Sequence, residues 1–371
     1  MGPLLQDLSE ILLINYNDRK QKSSRNRREK RDSLSTGSLI NKIKIPASTK
    51  IGSRFITTAM SPLVQPEIIF THESDLDGFV SGCLLQRLAK ILYRADVPVE
   101  PLSSSPWSNL KRFPKNAWVC DLSFDPKVDR EGWTIVDHHM TDHQATSAKV
   151  IHDLNQSAAK LCYNLLKENN AGNESLDRLV ELTNIADLYL CEHPDFDLAS
   201  DYARLVKTYH FRPLYRLIGQ DIESLVDHPL LELMKLKRQV EDPIGLNWSK
   251  DQVKEITPEV GYVATAIGDT NYIVHQLLEL PNQSYKALIT FFKKPSGPVT
   301  ASIRSQNGEA LEIAKRLQGG GHPNASGTTL PRSVTTFEGA VAYLKQVLMP
   351  PKVNETDLGT GTEALFDSAG F

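Results

Sequence analysis

The stretch FTHESDLDGFVSG, residues 70–82, follows the apolar run EIIF and places one histidine and three acids within six residues. Glu73, Asp75 and Asp77 repel one another where a buried strand ends and a helix begins. Such crowding is explained by a solvated turn or by a bound cation, and the surrounding sequence decides between them.

Outward from this point the rhythm is β-α-β. PEIIF is a short strand, and GFVSGCLLQRLAKILYRA has apolar residues at helical spacing. VPVEPL, AWVCDLSF, GWTIVDHH and AKVIHD are four further strands, followed by the helix SAAKLCYNLLKEN. Strands alternating with helices predict an α/β fold with a doubly wound, mainly parallel sheet. Ligands in such sheets bind at the carboxyl ends of the strands. At those ends stand His72, Asp75 and Asp77 after EIIF, Asp121 after AWVC, and Asp137, His138 and His139 after WTIV. The helical stretch LVELTNIADLYL adds Asp187 on an apolar background. Asp121 alone could cap a helix and Asp187 alone could be a satisfied core partner. Together, buried acids converging without cations would cost several kcal/mol each. Carboxylates mixed with imidazole suit Mn²⁺, Mg²⁺ or Fe²⁺ better than a thiolate-rich zinc site. The acids of HESDLDG therefore read as metal ligands.

Composition narrows the rest. The chain has 371 residues, 40% of them hydrophobic, which is enough for two domains. Of its 42 Lys/Arg and 45 Asp/Glu, residues 1–60 hold 12 and 5, leaving 30 and 40 for the remainder. The folded part is acidic, so an anionic substrate must be met by metal or by a local basic pocket. No apolar run is long enough for a membrane span. Cys83, Cys120, Cys162 and Cys191 form no CxxC pair and read as reduced core residues of a cytoplasmic protein. RKQKSSRNRREKRD (19–32) makes residues 1–60 a basic tail, expected to be disordered or to lie ahead of a start at Met60, with a nucleic-acid-binding arm as the sharper reading. Neither a signal peptide nor a transit peptide fits this segment. A second weakly structured tail is expected at 350–371.

Here the sequence resembles the DHH phosphoesterases. VDHHMTD (136–142) resembles their signature, HESDLDG their first motif, the Asp of VCDLSF their second and the Asp of IADLYL their fourth. QGGGHPNASG (318–327) resembles the glycine-rich motif of the DHH-associated C-terminal domain, with TASIRS (300–305) as the strand before it. The resemblance covers roughly 66–348 and implies two divalent ions, Mn²⁺ foremost. In that scheme His72, Asp75 and Asp187 hold one ion, Asp77 and His138 the other, and Asp121 bridges them. His139 is implied to face the substrate phosphate.

The C-terminal part reads on its own as a smaller α/β domain. GYVATAIG, YKALITFFKK and VTASIRS are strand-like; TNYIVHQLLEL, EALEIAKRLQ and TFEGAVAYLKQVL are helical by period. Gly319, Gly320 and Gly321 exceed what a helix cap needs, and their N–H groups can form an anion nest. His322 and Arg304 would add charge-assisted contacts to phosphate. The expected division is a DHH domain at 61–195, a helical linker at 196–255 and the associated domain at 256–349, with a cleft between the domains. In the linker, Arg204, Lys207, His210 and Arg212 read as a solvated helix face.

Together these features imply a metal-dependent phosphodiesterase acting on short single-stranded oligonucleotides or nucleotide phosphates, compatible with a homodimer. A RecJ-like single-strand exonuclease is the nearest alternative. A catalytically silent nucleic-acid-binding module is the alternative from another class.

Overall fold

The computed structural model describes residues 63–349 except 104–109, 111, 142, 219–220, 282 and 294–296, so the segments at 1–60 and 350–371 lie outside the described residues. Strand β1 (Ile68–His72) runs into helix α1 (Leu76–Tyr93), and β2 (Val99–Leu102), β3 (Ala117–Cys120), β4 (Trp133–Asp137) and β5 (Lys149–His152) follow. All four pairings are parallel, in the order β2-β1-β3-β4-β5. The chain reverses direction across the sheet between β1 and β3, which opens a crevice beyond their carboxyl ends. That crevice is where the acids of residues 70–82 emerge.

The turn from β1 into α1 is set by close approach. Asp75 caps α1, accepting from the Gly78 N–H at 2.9 Å. A Cβ on Gly78 would stand 2.3 Å from the His72 carbonyl oxygen, so only glycine lets the helix begin against the strand it leaves. Helices α2 (Ala158–Glu168) and α3 (Glu174–Asp187) pack with α1 over one face of the sheet, around Phe79, Leu84, Leu88, Cys162 and Leu179. The other face carries a smaller cluster of Phe70, Val119, Trp133 and Ile135, closed by Phe113 and Phe124.

Two expectations change. Helices α4 (Phe196–Tyr209), α5 (Phe211–Ile218) and the start of α6 (Leu230–Ser249) are not a linker: Tyr202, Leu205, Phe211, Leu214 and Met234 join the same core as α1. Apolar residues at helical spacing need a partner surface, and α1 supplies it; Phe79 and Phe211 meet with ring centroids 4.9 Å apart. Arg204 correspondingly leaves the solvated face and is buried in an ion pair with Asp242. Among the cysteines, Cys83, Cys120 and Cys162 are buried as expected, whereas Cys191 is exposed.

The C-terminal unit is a six-stranded mixed sheet, β6 (Val253–Thr257), β7 (Val260–Val263), β8 (Ala287–Lys293), β9 (Val299–Ser305), β10 (Gly320–His322) and β11 (Ala325–Thr329), in the order β10-β11-β9-β8-β7-β6. Only β7–β8 is parallel. Helices α7 (Thr270–Leu278), α8 (Glu309–Arg316) and α9 (Phe337–Leu348) complete it. The glycine run is therefore not a loop nest: Gly320 and Gly321 form the edge strand β10, paired antiparallel with β11. Its glycines are unequal. A Cβ on Gly319 would lie 2.3 Å from the Gly327 carbonyl oxygen and one on Gly321, at φ +134°, 2.7 Å from Ala325 O, while a Cβ on Gly320 would meet nothing within 4 Å. Gly320→Ala is expected to leave the melting temperature within a degree or two, whereas Gly319→Ala costs roughly 1–3 kcal/mol by forcing two strands apart. Equal melting temperatures for the two variants would contradict this packing.

Candidate metal centre

Each expected ligand is delivered by a separate piece of the parallel sheet. His72 ends β1, Asp75 and Asp77 open α1, Asp121 follows β3, His138 follows β4 and Asp187 ends α3. Asp121 sits at φ +53°, a conformation costing a non-glycine residue roughly 1–2 kcal/mol. Its N–H donates to Val136 O at 3.1 Å, which ties it to the β4 end. The result aims one carboxylate two ways. Asp121 Oδ2 lies 3.8 Å from His72 Nδ1, and Oδ1 lies 3.4 Å from His138 Nε2.

The donors fall into two groups on either side of Asp121. His72, Asp75 and Asp121 form one, with His72 Nδ1 2.6 Å from Asp75 Oδ2. Asp77, His138 and Asp187 form the other: His138 Nε2 is 3.6 Å from Asp77 Oδ2 and 3.5 Å from Asp187 Oδ2. This corrects the division implied by the resemblance, which set Asp187 beside His72 and Asp75. Asp187 closes α3 on the His138 side because α3 packs against α1 and α2, and Asp77 reaches the same region. Asp77 also accepts the Ala158 and Ala159 N–H groups at 2.8 and 2.7 Å, capping α2.

The arrangement leaves buried donors that a cation could satisfy. Asp121 Oδ2, Asp137 Oδ2, Asp187 Oδ2 and both ring nitrogens of His138 are buried without a hydrogen-bond partner. Each such group costs about 1–3 kcal/mol, more when charged, unless something fills its lone pair. Burial raises Asp121 and Asp187 well above the ordinary carboxylate range, reinforced by the neighbouring acids. Burial likewise lifts Asp77 to about 7. Burial, with His139 and His322 nearby, lowers His138 to about 3, leaving a neutral imidazole able to ligate. The donor set of carboxylates and imidazole fits Mn²⁺, Mg²⁺ or Fe²⁺.

His139 is held differently. Its Nδ1 lies 2.8 Å from Oδ1 of the fully buried Asp137. Burial works against its charge, yet the bond and charge of Asp137 outweigh it and raise the His139 pKa. Asp137 was visible in sequence at a strand end, but nothing there distinguished it from a ligand. From the C-terminal unit, His322 on β10 meets both histidines, with ring centroids 4.9 Å from His138 and 5.0 Å from His139. Burial, followed by the proximity of His139, lowers His322 to about 4. Arg304 on β9 is not brought into this cluster by any hydrogen bond. Its guanidinium donates to Asn271 Oδ1 at 2.8 Å and to Ser302 Oγ and Ile303 O at 3.1 Å.

The shifts give a pH signature for the metal-free protein. A carboxyl raised in the fold binds more protons folded than unfolded, so stability falls as pH rises between its two pKa values. His72 and His139, both raised, act in the same sense above 6.5. The lowered His138 and His322 act oppositely, but only below 6.5. Metal-free protein is therefore expected to melt at progressively lower temperature as pH rises above about 6.5, and Mn²⁺ to remove most of that slope. A flat metal-free profile would contradict the repelled cluster.

A scan of protein-family models finds no match to this chain, and a search of curated proteins finds none. Solved structures give remote likenesses. A pGpG-specific phosphodiesterase, PggH from Vibrio cholerae, is 11% identical with a TM-score of 0.41, covering 76% of this chain and 99% of that one. An exopolyphosphatase-related protein from Bacteroides fragilis is 16% identical with a TM-score of 0.44, covering 77% and 92%. An uncharacterized protein from Helicobacter pylori is 17% identical with a TM-score of 0.31, covering 76% and 98%.

Proposed function

We propose that this chain is a DHH-type phosphoesterase, a divalent-metal-dependent phosphodiesterase that hydrolyses short oligonucleotides or nucleotide phosphates. The observation carrying this reading is the two-way aim of Asp121, whose oxygens face His72 and His138 across buried, unpartnered donors. His72, Asp75 and Asp121 would hold one cation, and Asp121, Asp77, His138 and Asp187 a second. When bound, such a pair of ions supplies Lewis acidity and charge neutralisation for attack of water on a phosphoryl centre.

The chain's own groups do the rest. Asp137 orients His139 and favours its charged form, so the imidazolium can donate to a phosphate oxygen beside the cluster. His322 brings the C-terminal unit into contact with the same histidines, so a phosphate held beside them would be bordered by both units. The exposed edge of β10 offers backbone donors on that side. Short substrates fit this reading because the second unit closes over the site.

Arg304 is proposed to grip substrate outside the metal cluster. Arg304→Ala is expected to raise KM and lower kcat/KM by about 1.5–3 kcal/mol, with kcat less affected. Kinetics on a dinucleotide indistinguishable from wild type would remove Arg304 from the site. The function itself is tested with purified protein and Mn²⁺ on labelled RNA and DNA of two to ten nucleotides, cyclic dinucleotides and pyrophosphate. Turnover of the short strands is expected; turnover of none of these would refute the reading, and faster cleavage of long strands than short would favour a RecJ-like exonuclease.

A further inference from the structure

We propose that a half-open cleft of about 220 Å³ between α3, α4, α6 and α7, beside the metal cluster, binds one nucleobase through its acceptor edge. Tyr189, Phe196, Arg204, Asp242, Asn271 and Tyr272 line it.

The polar lining is unfinished. Arg204 is 7% exposed and pairs with Asp242 through one terminal nitrogen, while its Nε is buried without a partner. The Tyr189 hydroxyl is a second buried group without a partner. Two unpartnered donors around one small cavity are hard to explain in a finished core, since each costs about 1–3 kcal/mol. Both ask for a hydrogen-bond acceptor.

The charges say what kind. Arg204 is paired with Asp242, Arg238 with Asp197 and Asp201, and Lys207 with Asp269. These three cations face four carboxylates, so no positive charge is left over to hold a phosphate and the cleft does not suit an anion. The walls say what shape. Tyr189 and Phe196 pack edge to face with centroids 5.0 Å apart, and Tyr272 adds another ring. Beside the rings stand Ser200, Gln239, Asp242 and Asn271, so the lining joins apolar faces to polar groups that a ligand's edge can meet. A flat heterocycle with carbonyl oxygens or ring nitrogens along one edge meets both the rings and the donors, as arginine does with base edges elsewhere.

Position connects the cavity to the chemistry. Ala186 and Tyr189 lie on either side of Asp187, and Asn271 accepts from Arg304. A base seated here would hang from a sugar whose phosphate reaches Asp187 and Arg304. This role as a substrate subsite rests on the phosphodiesterase reading, whereas base binding does not.

The test uses ligands without phosphate. Adenosine, guanosine, cytidine, uridine and ribose are titrated calorimetrically into the full chain. At least one nucleoside is expected to bind saturably at millimolar concentration, and ribose not to bind. Ser200→Phe, which places a ring in the cavity, is expected to weaken binding by roughly tenfold or more, and Tyr189→Phe by roughly three- to tenfold. Both variants are checked for folding by circular dichroism and melting. No nucleoside binding to wild type, or unchanged binding in both folded variants, would overturn the proposal. Nucleoside binding without hydrolysis of any strand would uphold the cavity and refute only the phosphodiesterase.

Discussion

Asp121→Ala is expected to lower hydrolysis by roughly 10³-fold or more, equivalent to about 4 kcal/mol of transition-state stabilisation. Among the described residues, Asp121 presents one oxygen toward His72 and the other toward His138. Asp75, Asp77 and Asp187 each sit on one side of it, so losing any of them leaves one donor group whole. The same substitution should not weaken the fold in the absence of metal. Asp121 is buried and repelled by four neighbouring acids, and that repulsion outweighs the left-handed backbone at φ +53°, which alanine would keep. The expected result is a metal-free melting temperature equal to or above wild type, with activity lost. Parallel loss of both would mean that Asp121 serves the fold. Retained activity would mean that the two donor groups act without it.

Asp137→Ala should have the next largest effect, about 10–100-fold on kcat, the range for outer partners of functional histidines. Asp137 is fully buried and its hydrogen bond goes to His139. Without it, burial is opposed only by the charges of Asp75 and Asp77, and the His139 pKa should fall. The His139 titration followed by NMR, and the alkaline limb of the pH profile of kcat/KM that its proton loss sets, should move down in Asp137→Ala and return partly in Asp137→Asn, which restores a hydrogen bond but not the charge. A structural role alone would lower activity without moving the profile. An unmoved profile would therefore contradict the assignment.

How much of this could be read from residues alone is uneven for physical reasons. The parallel sheet was legible because its strands are buried on both faces and read as plain apolar runs, EIIF, AWVC and WTIV. Strand β10 and its partner β11 were not, because GGH and ASGTT lack the β-branched and aromatic residues that mark strands. They form a hairpin because β9 offers an unpaired edge. The core role of α4 and α5 was hidden by their charged faces; the apolar face that meets α1 spans only every third or fourth residue.

The site divides in the same way. Residues at strand ends follow from topology, so the convergence of His72, Asp75, Asp121 and His138 on one edge of the sheet was legible in the sequence. Asp187 could be identified but not assigned to a side, since that depends on how α3 crosses α1 and α2. Tyr189 and Arg204 carried no signal at all: an aromatic and a basic residue on helices look ordinary until their donors prove buried and unpartnered.

The central claim is that one bridging carboxylate organises two cations, and metal counting tests it most directly. Metal-free protein is loaded with Mn²⁺, freed of excess by dialysis and counted by mass spectrometry of the metal against protein concentration. Two ions per chain are predicted for wild type, and at most one for Asp121→Ala with its fold intact. No bound Mn²⁺ in wild type, or an unchanged count of two in Asp121→Ala, would contradict the account.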